Sequence, residues 1–166
     1  HVLREQLFNK DIGVVLTSAT LATGNDEEGR GFAHLVNRLG CDNARTLQLG
    51  SPFDHAAQMK VILDREMPEP NHPQYLDRLV PRLFDLIRET DGGAFVLFTS
   101  FAMLNKVAAR LRHLLLEQGH PVLVHGEDGP PGLLLKRFKD DERSVLLGTN
   151  SFWQGVDVRG RGLRNV

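Results

Sequence analysis

The stretch that decides the reading is Ser144–Gly160, SVLLGTNSFWQGVDVRG. Val145, Leu146 and Leu147 form a short apolar run after the charged DDER segment, Asp140–Arg143. A run of this kind predicts a strand buried on both faces, as in parallel sheets. Gly148 ends it, and Thr149, Asn150 and Ser151 bring short polar side chains suited to a tight turn. Loops leaving the carboxyl ends of parallel strands are where open α/β sheets place ligand chemistry. Gly155, without a Cβ, permits close approach, and Gln154 and Asp157 flank it with an amide and a carboxylate. Taken alone, the stretch is equally an ordinary strand-to-loop crossover carrying an incidental Trp153.

Read whole, SFWQGVD after an apolar strand resembles motif V of superfamily 2 helicases of the DinG/XPD group. Two other stretches stand in the order that group uses. VVLTSATL (Val14–Leu21) is similar to motif III, and GAFVLFTSF (Gly93–Phe101) to motif IV. SPF at Ser51–Phe53 also sits where the group often carries it. The resemblance implies an α/β fold of the RecA-like, P-loop NTPase type: a parallel sheet flanked by helices, here the second helicase motor domain. It gives Ser18, Ala19 and Thr20 a role in coupling the ATP site to DNA-dependent movement. It places Thr99 and Ser100, with Thr149, Asn150 and Ser151, on single-stranded DNA, and Gln154, Gly155 and Asp157 on the ATP side. Gln154 departs from the group, where Glu is common, so an amide stands there in place of a charge.

The residues themselves suit these roles. Hydroxyls and amides at a helix N-terminus hold phosphates without a large net charge. Thr99 or Ser100 could equally cap the next helix, and the two roles are compatible. Ser18 and Thr20 carry small hydroxyls that can exchange hydrogen-bond partners without repacking a core.

Bulk properties set the limits. A chain of 166 residues can build one core of ordinary size, or one domain with part of another. The formal net charge of −1 gives no general attraction to nucleic acid, so any such contact is local. Cys41 is the only cysteine, so the chain has no disulfide framework and no cysteine cluster for a metal. Many relatives of the resembling group carry an iron–sulfur cluster in the first motor domain; this chain could not hold one alone. The seven histidines show no HExxH or other tight ligand spacing, which makes solvent or core positions their default. No stretch is long and apolar enough for a membrane span, and HVLREQLFNK lacks the apolar centre of a signal peptide. The expectation is a soluble, cytoplasmic protein without membrane contact.

Along the chain, residues 1–11 predict the end of a helix and Ile12–Leu16 a buried strand. Gly24-x4-Gly29-Arg30 has nearly the spacing of a phosphate loop. It lacks the lysine, has Gly31 where Ser or Thr is needed, and carries Asp26, Glu27 and Glu28, which repel phosphate. Phe32, Leu35, Val36 and Leu39 fall at helical spacing before a Gly40 stop. Thr46–Leu49 and Lys60–Leu63 predict short strands. A helix then follows Tyr75 or Leu76, Leu79, Leu83 and Ile87, with Pro81 expected to kink it or to begin a second helix. Gly92-Gly93 ends it before the Ala94–Phe98 strand. Phe101, Leu104, Val107, Ala108, Leu111, Leu114 and Leu115 trace the clearest amphipathic stripe, up to Gly119. Pro121–Val124 predicts another strand and Leu133–Lys139 a helix. Strand, helix, strand, helix, strand argues for a parallel sheet. DDER precedes its strand, whereas a metal-binding Asp-Glu pair follows one, so it is expected to be a solvated turn. Arg159, Arg161 and Arg164 form either a phosphate-tracking patch or an exposed edge.

The chain contains no GxxxxGK[ST] loop and no strand-following DEAH, and it ends at Val166, before a QxxGRxxR-like motif VI. The resemblance therefore implies residues 1–45 as the C-terminal remnant of a first RecA-like motor domain. Residues 46–166 would be the second, truncated before motif VI. A parent protein would bind ATP and Mg²⁺ between the two domains and translocate on single-stranded DNA, while the chain alone would be inactive. A reading of a different class is a standalone RecA-like module that binds nucleic acid or protein without catalysis. Phosphate-loop and DEAH motifs upstream, with motif VI downstream, would separate the two.

Overall fold

Three apolar runs of the chain pair into one parallel sheet in the computed structural model, which describes residues 2–23 and 31–166. The strands are β1 (Ala94–Leu97), β2 (Val122–Val124) and β3 (Val145–Gly148), in the order β1-β3-β2. The register sets Phe95 beside Leu146 and Leu97 beside Gly148 on one side of β3. On its other side, Leu123 lies beside Leu146. Gly148 therefore still pairs as the last residue of β3, one position beyond the run read from sequence. With β3 central, all four of its residues are buried, which is why its sequence is continuously apolar rather than alternating.

Helices cover both faces of the sheet. The chain forms α1 (Ala33–Leu39), α2 (His55–Gln58), α3 (Tyr75–Glu89), α4 (Phe101–Glu117) and α5 (Pro131–Asp140). Val80 and Ile87 of α3 and Leu104, Val107, Leu111 and Leu115 of α4 pack with Ala94, Phe98, Val122, Val124, Val145 and Leu147. On the opposite face, Leu134 and Phe138 of α5 pack with Phe95, Leu123, Leu146 and Phe152. The alternation along each strand thus sorts its residues between two helical layers. Each fully buried Leu, Val or Phe contributes on the order of 1.5–3 kcal/mol.

The helix ends follow from local chemistry. Ser100 caps α4, its Oγ accepting the Met103 N–H at 3.3 Å. At the far end Gly119 N donates to Leu116 O and His120 N to Leu115 O, a Schellman closure. The end of α3 repeats it: Asp91 N bonds Arg88 O and Gly92 N bonds Ile87 O. Of the kink or second helix expected at Pro81, no second helix begins there: α3 runs as a single helix through it. Pro81 is exposed, so the ring does not disturb the core, and packing of Val80 and Ile87 outweighs the lost backbone donor.

The chain divides into two compact units, His1–Ile62 and Leu63–Val166. The resemblance places its own division between motor domains earlier in the chain, after residue 45. The sheet and its flanking helices lie in the second unit. In the first, a π-helical turn spans Arg4–Phe8, the helix end expected for residues 1–11. Arg4 is tied to Gly40 O at 2.9 Å and to the Asp42 carboxylate, and α1 stops at Gly40 as expected. The strands expected at Ile12–Leu16, Thr46–Leu49 and Lys60–Leu63 do not form: these segments are irregular and exposed, Val15 to 84%. Their composition signals burial, but a parallel strand exists only with a hydrogen-bonding neighbour, and none of the described strands pairs with them. The phosphate-loop-like spacing at 24–30 lies outside the described residues. By hydrogen exchange on this chain, Val14–Leu16 amides are expected to exchange orders of magnitude faster than those of Leu146 and Leu147. Equal protection would mean that residues 12–16 belong to a stable sheet.

Candidate functional site

The three strands end at one edge, and the loops leaving that edge carry the residues singled out in the second unit. After β1 come Thr99 and Ser100, both exposed, with Ser100 at the N-terminus of α4. After β3 a short 3-10 turn, Asn150–Phe152, is followed by an irregular segment to a second such turn at Gly160–Gly162. Thr149 is buried, whereas Asn150 and Ser151 are exposed. Gln154, Gly155 and Asp157 are exposed as well. Gly155 takes φ +71°, and a Cβ built there would meet nothing within 4 Å. The glycine thus serves the backbone conformation; no described residue crowds it.

The loop after β3 is stitched to the strands on both sides. Towards β1, Trp153 Nε1 donates to Phe98 O at 3.3 Å. Trp153 is therefore more than incidental, and the residue as a whole remains 52% exposed. Towards β2, Thr149 Oγ1 lies 2.9 Å from His125 Nδ1. The His125 ring packs on Phe101 at a centroid distance of 4.9 Å and edge-on to Phe152 at 5.1 Å. Neither bond was read from the sequence. His125 carries no ligand spacing, and its value comes from β2 and β3 being neighbours, a relation that only the strand order creates.

The basic cluster beside this loop divides. Arg164 is turned into the structure: Nε donates to Thr90 O at 2.8 Å, and Nη2 to Asp91 O at 2.8 Å and Glu142 O at 3.0 Å. Its Nη1 also donates to Arg161 O. The guanidinium fork is occupied by backbone carbonyls at the amino ends of β1 and β3, so the phosphate-tracking role does not extend to Arg164. Arg159 is 92% exposed and pairs only loosely with Asp157, at 3.5 Å. Beside Arg164, Asn165 forms a parallel bridge to Ala94 and its side chain donates to Leu86 O at 2.9 Å. DDER forms the turn expected of it, with Arg143 N bonded to Asp141 Oδ1 at 2.9 Å. Arg143 also bridges to Asp91 at 3.1 Å.

The first unit holds the remaining candidates. Ser18, Ala19 and Thr20 are exposed, and Ser18 Oγ accepts the Thr20 N–H at 3.2 Å while lying 3.3 Å from Thr20 Oγ1. The two hydroxyls thus bond each other in a small local turn. Among the described residues no group of three or more His, Cys, Asp and Glu side chains is placed to hold a metal ion. No helix among them is long and apolar enough to cross a membrane.

A parallel sheet between two helical layers, with polar loops gathered at the carboxyl ends of its strands, is the arrangement of RecA-like α/β domains. The chain belongs to the helicase C-terminal domain family, whose model matches residues 83–166. It is 36% identical over 172 residues to the protein named 3'-5' exonuclease DinG of Bacillus subtilis, covering 100% of this chain and 18% of that protein. It is 36% identical to the ATP-dependent DNA helicase YoaA of Escherichia coli (98% of this chain, 24% of that protein) and 38% identical to YoaA of Haemophilus influenzae (97% and 24%). The chain therefore spans about a quarter or less of the length of these relatives. No solved structure matches it.

Proposed function

We propose that the chain is part of an ATP-dependent DNA helicase of the DinG type, in which ATP hydrolysis drives movement on single-stranded DNA and duplex unwinding. The observation that carries this is the loop after β3: within a helicase C-terminal domain, it is fixed to both neighbouring strands while its polar residues stay exposed. A loop held at its base and open at its tip suits a site that must keep its geometry while exchanging ligands. In this reading Thr99, Ser100, Asn150 and Ser151 meet the DNA backbone, with Thr149 supporting them from within the fold. Gln154, Gly155 and Asp157 face the nucleotide, and Ser18, Ala19 and Thr20 couple the two events. ATP with Mg²⁺ is bound chiefly by a first RecA-like motor domain of the same protein. Residues 1–45 are the last part of that domain and residues 46–166 most of the second. The protein acts in the cytoplasm.

The test uses the protein that contains this chain and, separately, residues 1–166. The former is expected to hydrolyse ATP when single-stranded DNA is added. The latter is expected to show no hydrolysis, because the sequence contains no phosphate loop to cradle the β- and γ-phosphates and Mg²⁺. Single-stranded DNA binding by the containing protein without any ATP hydrolysis would instead establish a non-catalytic module. Hydrolysis by residues 1–166, lost in a Gly155/Asp157 double mutant, would overturn the division of labour.

A further inference from the structure

His125 is held from several sides at once. It is the first residue beyond β2, and its backbone N–H donates to Leu147 O at 3.0 Å, extending the ladder to β3 past the strand. Its Nδ1 lies 2.9 Å from Thr149 Oγ1, and Thr149 is only 5% exposed. A buried hydroxyl without a partner is costly, so this bond matters more than an equivalent one at the surface. The imidazole also lies against Phe101 and Phe152. Phe101 directly follows the helix cap Ser100, and Phe152 closes the turn that contains Asn150 and Ser151. One side chain thus joins the loop after β1 to the loop after β3.

We propose that His125 is a positioning residue for single-stranded nucleic acid, a role that rests on the helicase reading above. Through the bond to Thr149 it fixes the start of the Asn150–Phe152 turn, beside the N-terminus of α4, where its ring rests on Phe101. The exposed Ser100, Asn150 and Ser151 are thereby held as one surface that can meet a sugar–phosphate backbone. His125 itself need not touch the strand. Packing against two phenyl rings could be supplied by any ring of similar size; the bond to Thr149 requires a polar atom where Nδ1 sits. That difference separates positioning from mere support.

The experiment measures ATP hydrolysis by the containing protein against increasing concentrations of an oligo-dT single strand. His125→Phe keeps a ring and removes the polar atom; His125→Asn places an amide near the Nδ1 position and removes the ring's far side. Thr149→Val removes the same hydrogen bond from its other end. The phenylalanine and valine variants are expected to need about fivefold more DNA for half-stimulation, the size of one net hydrogen bond lost, with turnover at saturating DNA within twofold. The asparagine variant is expected within about twofold of wild type, and the Phe/Val double variant no worse than either single one. Unchanged half-stimulation in His125→Phe and Thr149→Val would overturn the proposal, as would equal weakening in His125→Phe and His125→Asn. Additive losses in the double variant would also overturn it. Should His125→Phe not fold, the Thr149→Val and His125→Asn pair still decides the matter. A wild-type protein with no DNA-stimulated hydrolysis would remove the helicase reading itself, and this inference with it.

Discussion

Asp157→Ala, made in the protein that contains this chain, is expected to leave single-stranded DNA affinity within about threefold while lowering ATP turnover at saturating DNA by about tenfold or more. The carboxylate is 78% exposed, and its partner within the chain is Arg159, itself almost fully exposed, at 3.5 Å. A pair of that kind contributes little, which leaves the Asp157 oxygens free to accept stronger bonds. Direct contact with a phosphate is disfavoured by like charge, on the DNA and on the nucleotide alike. A ribose hydroxyl or an arginine from another motif is the fitting donor, and charge-assisted bonds of this type are the strong ones. Loss of even 1.4 kcal/mol at the transition state accounts for a factor of about ten. A residue serving DNA affinity alone would behave in the opposite way: weaker binding, a shallower salt dependence and normal turnover at saturation. Anisotropy with labelled single-stranded DNA, beside steady-state hydrolysis on the same preparation, distinguishes these patterns. Collapse of affinity with intact turnover would reject the coupling role.

The second large effect concerns stability. Gly92→Ala is expected to destabilise the second unit by about 3 kcal/mol or more, whereas Gly155→Ala costs only about 1 kcal/mol. Both glycines have nearly the same left-handed backbone, φ +76° and φ +71°, so the conformational penalty is common to them. Their surroundings differ. A Cβ on Gly92 would stand 2.2 Å from the Arg143 backbone oxygen, and one on Gly155 would meet nothing within 4 Å. The obstacle at Gly92 is the main chain of the turn leading into β3, which cannot swing aside as a side-chain tip can. Denaturant unfolding of the two variants should therefore separate by about 2 kcal/mol or more. Equal midpoints would mean that the turns around Gly92 and Arg143 do not pack as described.

What the sequence made legible and what it hid follow from the range of the interactions. The stripe from Leu104 to Leu115 reads directly as α4, because one helix face is defined by residues three and four apart. The buried runs of β1 and β3 read equally well, since both of their faces are covered by helices. The same apolar signal at Ile12–Leu16 misled, because apolar composition says a segment prefers burial without saying what will cover it. At Pro81 the alternative of a second helix did not hold: the packing on either side carries α3 through the proline. At the site, Ser100 and the Thr149–Asp157 loop were visible as short polar residues after strands. His125 was not, since its partner is 24 residues away and becomes a neighbour only through the order β1-β3-β2. Arg164 likewise looked like one more surface cation, until its fork met carbonyls of Thr90, Asp91 and Glu142.

Trp153 is the single tryptophan of the chain, and its indole joins the loop after β3 to the end of β1. Half in solvent and half against protein, such a ring emits at a wavelength and intensity set by the polarity around it. Excited where the single tyrosine, Tyr75, does not absorb, residues 1–166 therefore give a local signal from the loop after β3, with no label introduced. A change in that emission on adding a ligand would mean that the indole has parted from the Phe98 carbonyl or acquired a new neighbour.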